Sequence, residues 1–234
     1  MMDYSYLKDN YDGLIGDIRQ ICTENNRNFD ELVLVAVSKT FPPEQIKEVH
    51  GLGQTVFGEN KVQELREKYD VLKGENIKWH LVGHLQTNKV KYIAEFVDLI
   101  HSVDSAKLAG VVNEQAEKHN RVIDVLVQVN TSGEDQKSGV EPEEAEQLCD
   151  EISRMKNVRL RGLMTIGMFT DDEEVIRSNF RVLRSLFNAL KEKHGNFDYL
   201  SMGMTSDYRI AIEEGANMLR IGSAIFGYRN YSKT

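Results

Sequence analysis

The sequence has few cysteines and no long apolar run, which are the features expected of a disulfide-bonded or membrane-spanning protein. Its 234 residues include only two cysteines and three prolines. Two distant thiols, Cys22 and Cys149, are too few for a disulfide framework or a metal cluster, and they fit a reducing compartment. No apolar run approaches the roughly 20 residues of a membrane-spanning helix, and no basic start followed by an apolar stretch marks an export signal. We therefore expect a cytoplasmic protein with no membrane partner.

An excess of positive charge is also lacking, since 29 Lys and Arg residues face 37 Asp and Glu residues, for a net charge of −8. Nonspecific binding to nucleic acid or to a membrane surface needs a positive field, so this balance argues against both. Hydrophobic residues, by contrast, make up 41% of the chain, too many for a disordered protein. No linker of proline, glycine or serine interrupts the sequence, which predicts a single domain over 1–234.

Apolar runs alternate with amphipathic stretches along the chain. The run 32–37 is apolar throughout, which is typical of a strand buried on both faces of a parallel sheet. An amino-terminal helix within 1–26 is predicted by apolar residues spaced four and three apart, which are Leu7, Tyr11, Leu14, Ile18 and Ile21. Eight strands are predicted, at 32–37, 55–57, 77–82, 97–100, 122–129, 159–166, 198–201 and 217–221. A helix is predicted after each strand, including one at 86–95.

Alternating strands and helices indicate an α/β fold with a parallel sheet. Eight such units predict a single (β/α)8 barrel of the TIM type over 30–231, preceded by the helix of 1–26. A doubly wound open sheet is the alternative, because the predicted strands at 55–57 and 198–201 are short enough to be miscounted. In a barrel, the functional residues lie at the carboxyl ends of the strands.

Lys39 directly follows the first buried strand. A lysine that starts from a partly desolvated position has a lowered pKa and suits Schiff-base chemistry, although a lysine that merely ends a strand would point into solvent. The loops at 201–207 and 220–224 combine glycine with hydroxyl side chains before predicted helices, a pattern that favours phosphate but that N-capping would also explain. A reactive lysine facing a phosphate site indicates a phosphorylated aldehyde, with pyridoxal phosphate the obvious candidate.

Six sequence blocks, which occur in order along about 30–231, point to a specific protein family. They are VAVSK (35–39), FGEN (57–60), WHLVGHLQTNK (79–89), GLM (162–164), LSMGM (200–204) and LRIG (219–222). These blocks resemble the signatures of the YggS-type pyridoxal phosphate homeostasis proteins. That family is similar in fold to the barrel domain of alanine racemase and of the eukaryotic-type ornithine decarboxylases.

The resemblance implies a set of cofactor-binding residues, which are Lys39, Asn60, Met164, Ser201, Met202, Arg220, Gly222 and Ser223. Lys39 would carry pyridoxal 5'-phosphate as a Schiff base, and Ser201, Gly222 and Ser223 would hold the phosphate. Arg220 would face the pyridine nitrogen, and because an arginine does not readily give up a proton, the ring would stay a weak electron sink. The expected partners are pyridoxal phosphate, other B6 vitamers and apo-enzymes that need the cofactor, and the expected working state is a monomer.

Two functions remain open. The resemblance implies a homeostasis protein without catalytic residues, and the alternative is a small pyridoxal-phosphate-dependent amino-acid racemase or decarboxylase. Two-base racemisation needs an acid–base group on each face of the cofactor. In the related racemases the second group is a tyrosine of a carboxy-terminal domain, and we expect this sequence to be too short to include that domain. Tyr208, Tyr228 and Tyr231 could substitute, but no neighbour in the sequence marks one of them as a base. We therefore favour the homeostasis function.

Other polar residues are not predicted to bind ligands. His80 and His84 are four apart at a strand end, where their side chains do not converge, and no third ligand is evident, so no metal site is expected. Lys137 lies in a polar loop and is predicted to be solvated, with a ligand or anion contact as the alternative.

Overall fold

The computed structural model describes residues 4–134 and 136–227, and its centre is a closed barrel of eight parallel strands. The strands are β1 (Val33–Val37), β2 (Val56–Glu59), β3 (Lys78–Leu81), β4 (Leu99–Val103), β5 (Ile123–Gln128), β6 (Val158–Met164), β7 (Tyr199–Ser201) and β8 (Met218–Ile221). They pair in chain order, and β1 closes onto β8 with Val35 opposite Arg220. This closure confirms the predicted barrel and excludes the open sheet.

Helices surround the barrel on the outside. They are α1 (Ser5–Glu24), α2 (Pro43–Gly51), α3 (Val62–Val71), α4 (Ala106–Lys118), α5 (Ala145–Ser153), α6 (Glu173–Lys191), α7 (Tyr208–Glu213) and α8 (Ser223–Phe226). Among the described residues, none of these helices combines the length and the apolar character that crossing a membrane requires.

Strand residues alternate between the barrel interior and the layer beneath the helices, as the two-residue period of a strand requires. A small apolar cluster fills the interior and consists of Val35, Val37, Val82, Leu99, Leu126, Met164 and Met218. Intervening residues such as Ala36 and Leu219 belong to the larger core between strands and helices. Arg220 therefore faces the interior, since Leu219 and Ile221 on either side of it belong to the outer core.

The third unit differs from the prediction, because the segment after β3 forms a 3-10 helix at Thr87–Tyr92 in place of an α-helix over 86–95. Its buried residues Val90, Ile93, Ala94 and Val97 have the spacing of an α-helix, so burial alone does not explain the difference. The backbone bonds do: Lys89 and Ile93 donate three residues back, whereas Ala94 and Val97 donate four residues back. This mixture of spacings gives a short 3-10 helix and no continuous α-helix.

The predicted amino-terminal helix is present as α1, and it packs against α2, α7 and α8. Leu7, Leu14, Ile18 and Ile21 form its buried face, as predicted, while Tyr11 is half-buried. Because α8 is only four residues long, α1 covers the part of the barrel wall that a longer eighth helix would cover.

Candidate functional site

Buried polar side chains collect at the carboxyl ends of the strands, which is the end where barrels bind their ligands. They include Ser38, Glu59, His80, His101, Gln128, Asn130, Thr165, Ser201 and Arg220, each no more than 5% exposed. Polar groups buried this deeply need hydrogen-bond partners. Gln128 and Asn130 bond to the loop after β5, whereas the others form two groups, one beside the Lys39 turn and one around Arg220.

Lys39 occupies a tight turn directly after β1. The backbone N–H of Phe41 donates to the carbonyl oxygen of Ser38 at 3.0 Å, so Lys39 and Thr40 are the two central residues of a β-turn. Ser38 is fully buried, whereas Lys39 is half-buried and Thr40 is exposed. The turn thus places the predicted Schiff-base lysine at the rim of the barrel mouth.

Three charged residues of the next unit contact this turn, and we call Glu59, Glu64 and Lys68 the outer charged cluster. Lys68 Nζ lies 2.6 Å from Glu59 Oε1 and 3.7 Å from Glu64 Oε2. Burial is the main reason that the pKa of Glu59 is raised, although Lys68 opposes the shift. Within the described part of the chain, Glu59 Oε2 is buried without a hydrogen-bond partner. The cluster holds a costly buried charge next to the Lys39 turn.

Arg220 lies inside the barrel on β8, the strand adjacent to β1. Its Nη1 donates to Ser201 Oγ at 2.7 Å and its Nη2 donates to the carbonyl oxygen of Thr165 at 2.8 Å. Burial lowers the pKa of Arg220 to about 10, and the nearby Asp207 carboxylate partly opposes that shift. The guanidinium is therefore charged at neutral pH and fixed at two of its nitrogens.

Two histidines extend this arrangement across the barrel. His80 Nδ1 lies 3.0 Å from His101 Nε2, and His101 Nδ1 lies 3.2 Å from Ser201 Oγ. Burial lowers the pKa of His80 to about 3, and it lowers that of His101 well below the ordinary value, so both rings are neutral. His80, His101, Ser201 and Arg220 thus form one hydrogen-bonded series inside the barrel, from β3 to β8.

The predicted phosphate loop after β7 is tightly packed beneath α7. Gly203 has φ +97°, and a Cβ there would lie 2.5 Å from the Cβ of Ala211, so only glycine fits. The carbonyl oxygen of Gly203 accepts from the backbone N–H of Arg220 at 3.0 Å, which ties this loop to β8. The Ser201 hydroxyl, predicted to contact phosphate, contacts Arg220 and His101 within the barrel.

The loop after β8 lies next to the Lys39 turn. Ala36 is paired with Ile221, so the next residues of the two strand ends, Val37 and Gly222, also lie side by side. A Cβ on Gly222 would lie 3.1 Å from the Val37 carbonyl oxygen. Ser223 begins α8 and is half-buried. The structure thus brings together Lys39 and the second predicted phosphate loop.

The remaining predicted pocket residues have different surroundings. Asn60 is half-buried directly after β2. Met164 is fully buried in the interior apolar cluster and is paired with Ser201 across β6 and β7. The Met202 side chain is fully buried in the outer core. Only the backbone of Met202 is therefore on the strand end that faces the mouth.

The two histidines of the third block do not form a metal site. His84 is exposed and its Nδ1 lies 3.7 Å from Asp104 Oδ2, whereas His80 is turned inward to His101. Among the residues that the structure describes, no three His, Cys, Asp or Glu side chains are placed to hold a metal ion.

Lys137 and Tyr208 have contacts of their own. Lys137 Nζ lies 2.6 Å from Glu134 Oε2 and donates to the carbonyl oxygen of Gly167 at 3.0 Å, so it links two loops of the mouth. The hydroxyl of Tyr208 donates to Asp17 on α1, and burial is the main cause that raises its pKa to about 12. Tyr208 thus belongs to the outer layer. Tyr228 and Tyr231 lie outside the described residues.

Sequence reasoning missed His101 and Lys68. Lys68 falls between Leu65 and Tyr69 on the apolar face of the predicted helix, and a charged residue on a buried face is a signal that could have identified it. His101 follows Leu99 by two residues and therefore shares its inward direction. Neither signal by itself indicates a partner.

The donor set fits a phosphorylated aldehyde on a heteroaromatic ring. Lys39 supplies a primary amine for an aldehyde carbon, and the guanidinium of Arg220 can donate to a ring nitrogen that lacks a proton. The glycine-containing loops after β7 and β8 bring backbone groups to the same mouth, which suits a phosphate.

Comparison with known proteins gives the same family from sequence and from structure. The family model of the alanine racemase N-terminal domain matches residues 27–230. A relative from Aquifex aeolicus (strain VF5), described as a pyridoxal phosphate homeostasis protein, is 44% identical over 215 residues, which cover 92% of this chain and 94% of the relative.

Two solved structures resemble the barrel. PipY of Synechococcus elongatus PCC7942, solved with PLP bound, is 32% identical, has a TM-score of 0.79, and is matched over 90% of this chain and 99% of its own. An alanine racemase from Clostridium difficile 630 has a TM-score of 0.76 at 17% identity, over 97% of this chain and 56% of its own, which shows a shared fold alone. The chain belongs to the pyridoxal phosphate homeostasis protein family, built on the barrel of the alanine racemase N-terminal domain.

Proposed function

We propose that this protein binds pyridoxal 5'-phosphate and serves the homeostasis of vitamin B6, without turning over a substrate. The observation that carries the proposal is the placement of Lys39, in the turn directly after β1, and of the buried Arg220 on the adjacent strand β8. The homeostasis relatives and the PLP-bound structure of PipY support it.

Each residue has a distinct part in the proposed binding. When bound, pyridoxal phosphate supplies an aldehyde and an electron-withdrawing ring. The amine of Lys39 condenses with the aldehyde to a Schiff base, with loss of one water and no redox change. Arg220 donates a hydrogen bond to the ring nitrogen, and the loops at Gly203 and at Gly222–Ser223 hold the phosphate. Asn60 and Met164 line the pocket.

The charge of Arg220 sets the electronic character of the proposed site. The guanidinium keeps its proton at neutral pH even though burial lowers its pKa to about 10, so it leaves the ring nitrogen unprotonated and the ring a weak electron sink. The His80 and His101 rings are neutral and bonded to each other, and Tyr208 is bonded to Asp17 in the outer layer.

The proposal includes partners and assembly. As a monomer, the protein would bind pyridoxal phosphate, with other B6 vitamers as weaker ligands because those without an aldehyde cannot bond to Lys39. Apo-enzymes that require the cofactor would receive it. Mixing loaded protein with an apo-enzyme, and following recovery of that enzyme's activity, tests the transfer.

The central test is to trap the cofactor on the protein. Purified protein incubated with pyridoxal phosphate and reduced with borohydride should carry one adduct, which peptide mass spectrometry should locate at Lys39. Lys39→Ala should abolish the adduct, because it removes the amine proposed to condense with the aldehyde, while Lys47→Ala, which changes an exposed lysine on α2, should leave it unchanged. An adduct on another lysine would refute the assignment of Lys39.

A racemisation and decarboxylation assay on common amino acids decides between the two functions. The homeostasis function predicts no turnover above the rate of free pyridoxal phosphate. Robust turnover that disappears in Lys39→Ala would replace our proposal with the enzymatic alternative.

A further inference from the structure

The turn that carries Lys39 is held from outside the barrel. Its two flanking residues, Ser38 and Thr40, contact the outer charged cluster of Glu59, Glu64 and Lys68, whose members all come from β2 and α3. The second βα unit of the barrel thus holds the end of the first strand.

Ser38 is fixed at both its side chain and its backbone. Its Oγ donates to Glu59 Oε1 at 2.6 Å, and its carbonyl oxygen accepts from Lys68 Nζ at 2.8 Å. Lys68 Nζ also donates to the same Glu59 oxygen at 2.6 Å. Because all three groups are buried, these charge-assisted hydrogen bonds act without competition from water.

Thr40 is held in a conformation that its residue type disfavours. Its φ is +70°, in the left-handed region that is unfavourable for a β-branched residue. The backbone N–H of Thr40 donates to Glu64 Oε2 at 2.8 Å, although the Thr40 side chain is exposed. Such strain persists only where surrounding contacts impose it, and here the Glu64 carboxylate is one of those contacts.

Stability alone does not account for this cluster. A buried ion pair is often no more stabilising than two apolar residues of the same volume, because desolvation offsets the attraction. Apolar residues at Glu59 and Lys68 could not, however, bind the hydroxyl and carbonyl oxygen of Ser38. The buried charged groups of the cluster therefore serve to hold Ser38 and Thr40, the two residues next to Lys39.

We propose that Glu59, Glu64 and Lys68 are positioning residues, which fix the Lys39 turn so that its amine meets the aldehyde of the cofactor. This inference rests on the proposed function of Lys39. None of the three residues is proposed to contact the cofactor, and their effect is on the rate and yield of bond formation at Lys39.

Glu64 offers the sharpest test, because it is partly exposed on α3 and its loss leaves the fully buried ion pair between Glu59 and Lys68 in place. In Glu64→Ala we expect the borohydride-trapped adduct at Lys39 to form about three to ten times more slowly, since one charge-assisted hydrogen bond is lost. Glu64→Gln should restore most of the rate, because its amide oxygen can still accept from Thr40. Glu67→Ala, which removes an exposed carboxylate from the same helix, is the matched control.

Two further measurements distinguish an effect on the position of the Lys39 turn from an effect on protein folding or on the site of cofactor binding. The unfolding midpoint of each variant should stay near that of the wild type, and mass spectrometry should still place all of the adduct on Lys39. Equal adduct rates in Glu64→Ala and Glu67→Ala would overturn the inference. A wild-type adduct located away from Lys39 would refute the proposed function itself, so the two failures are distinguishable.

Amide hydrogen exchange provides a second test on the protein alone. The Thr40 amide lies in an exposed turn, yet its bond to Glu64 predicts that it exchanges at least about tenfold more slowly in the wild type than in Glu64→Ala. A Thr40 amide that exchanges at the rate of an unprotected loop in the wild type would overturn the inference, whether or not the variants fold.

Discussion

The two sides of the barrel mouth hold their key residues in opposite ways. Arg220 is held through its own side chain, which donates to Ser201 and Thr165 inside the barrel. Lys39 is held through its neighbours in the chain, which bind the outer charged cluster. The partners of Arg220 are neutral, whereas those of the Lys39 turn are charged.

The difference agrees with the proposed role of each group. An arginine that stays protonated and only donates hydrogen bonds can be fixed at its own nitrogens. A lysine proposed to form a covalent bond requires a fixed backbone, and the restraints on Ser38 and Thr40 orient the turn that carries Lys39.

The largest predicted effect lies on the Lys39 side. Lys68→Met should destabilise the protein by about 3–5 kcal/mol, because it leaves the Glu59 carboxylate buried and unpaired. Urea unfolding followed by circular dichroism measures the change. The double variant Glu59→Gln, Lys68→Met should recover much of the loss, and a single variant as stable as wild type would show that the buried pair is not coupled to the fold.

A smaller effect is expected on the Arg220 side. Arg220→Met should cost about 1–3 kcal/mol, because Ser201 and the Thr165 carbonyl lose a donor while a buried charge is removed as well. Urea unfolding of this variant beside Lys68→Met tests the contrast directly. A loss larger than that of Lys68→Met would mean that the neutral side is the more tightly coupled one.

The last effect is absent at neutral pH and appears only as the pH falls. The pKa of His80 is about 3 in the folded protein because of burial, below its ordinary value near 6.5, so the unfolded chain binds the proton first as the pH falls. The stability that neutral His80 contributes is complete above about pH 6.5 and is lost progressively toward pH 3. His80→Gln should therefore make the fall shallower, by up to about 1.4 kcal/mol per pH unit.

The exposed His84 provides the control for this measurement. Unfolding free energies at a series of pH values between 4 and 7 should give His84→Gln the slope of the wild type. If His80→Gln also kept that slope, the proton uptake assigned to His80 would have to belong to other groups.

Local patterns in the sequence were sufficient for most of the fold. The apolar run at 32–37 predicted a buried strand, and the spacing from Leu7 to Ile21 predicted α1, because burial on both faces or on one helical face leaves a direct trace in the order of residues. The prediction of an α-helix after β3 was wrong. The buried residues Val90, Ile93, Ala94 and Val97 have α-helical spacing, so the sequence pattern could not reveal that some backbone bonds join residues three apart.

The site was only partly predictable for a similar reason. Lys39 was predicted because it directly follows an apolar strand, which is a local signal, and Arg220 was predicted from the resemblance of the LRIG block to the family. His101 and Lys68 were missed, since their partners lie far along the chain: His101 binds His80 and Ser201, and Lys68 binds Ser38.

The sequence by itself determined the alternation of strands and helices, the lysine at the end of β1 and the family to which the chain is similar. Only the tertiary structure decided which groups meet. Closure of β8 onto β1 sets Gly222 beside Val37 and Arg220 beside Val35, and the pairing of β7 with β8 brings Ser201 to Arg220. A strand's own residues fix which side chains point inward, but the pairing of strands distant in the chain fixes which of them touch.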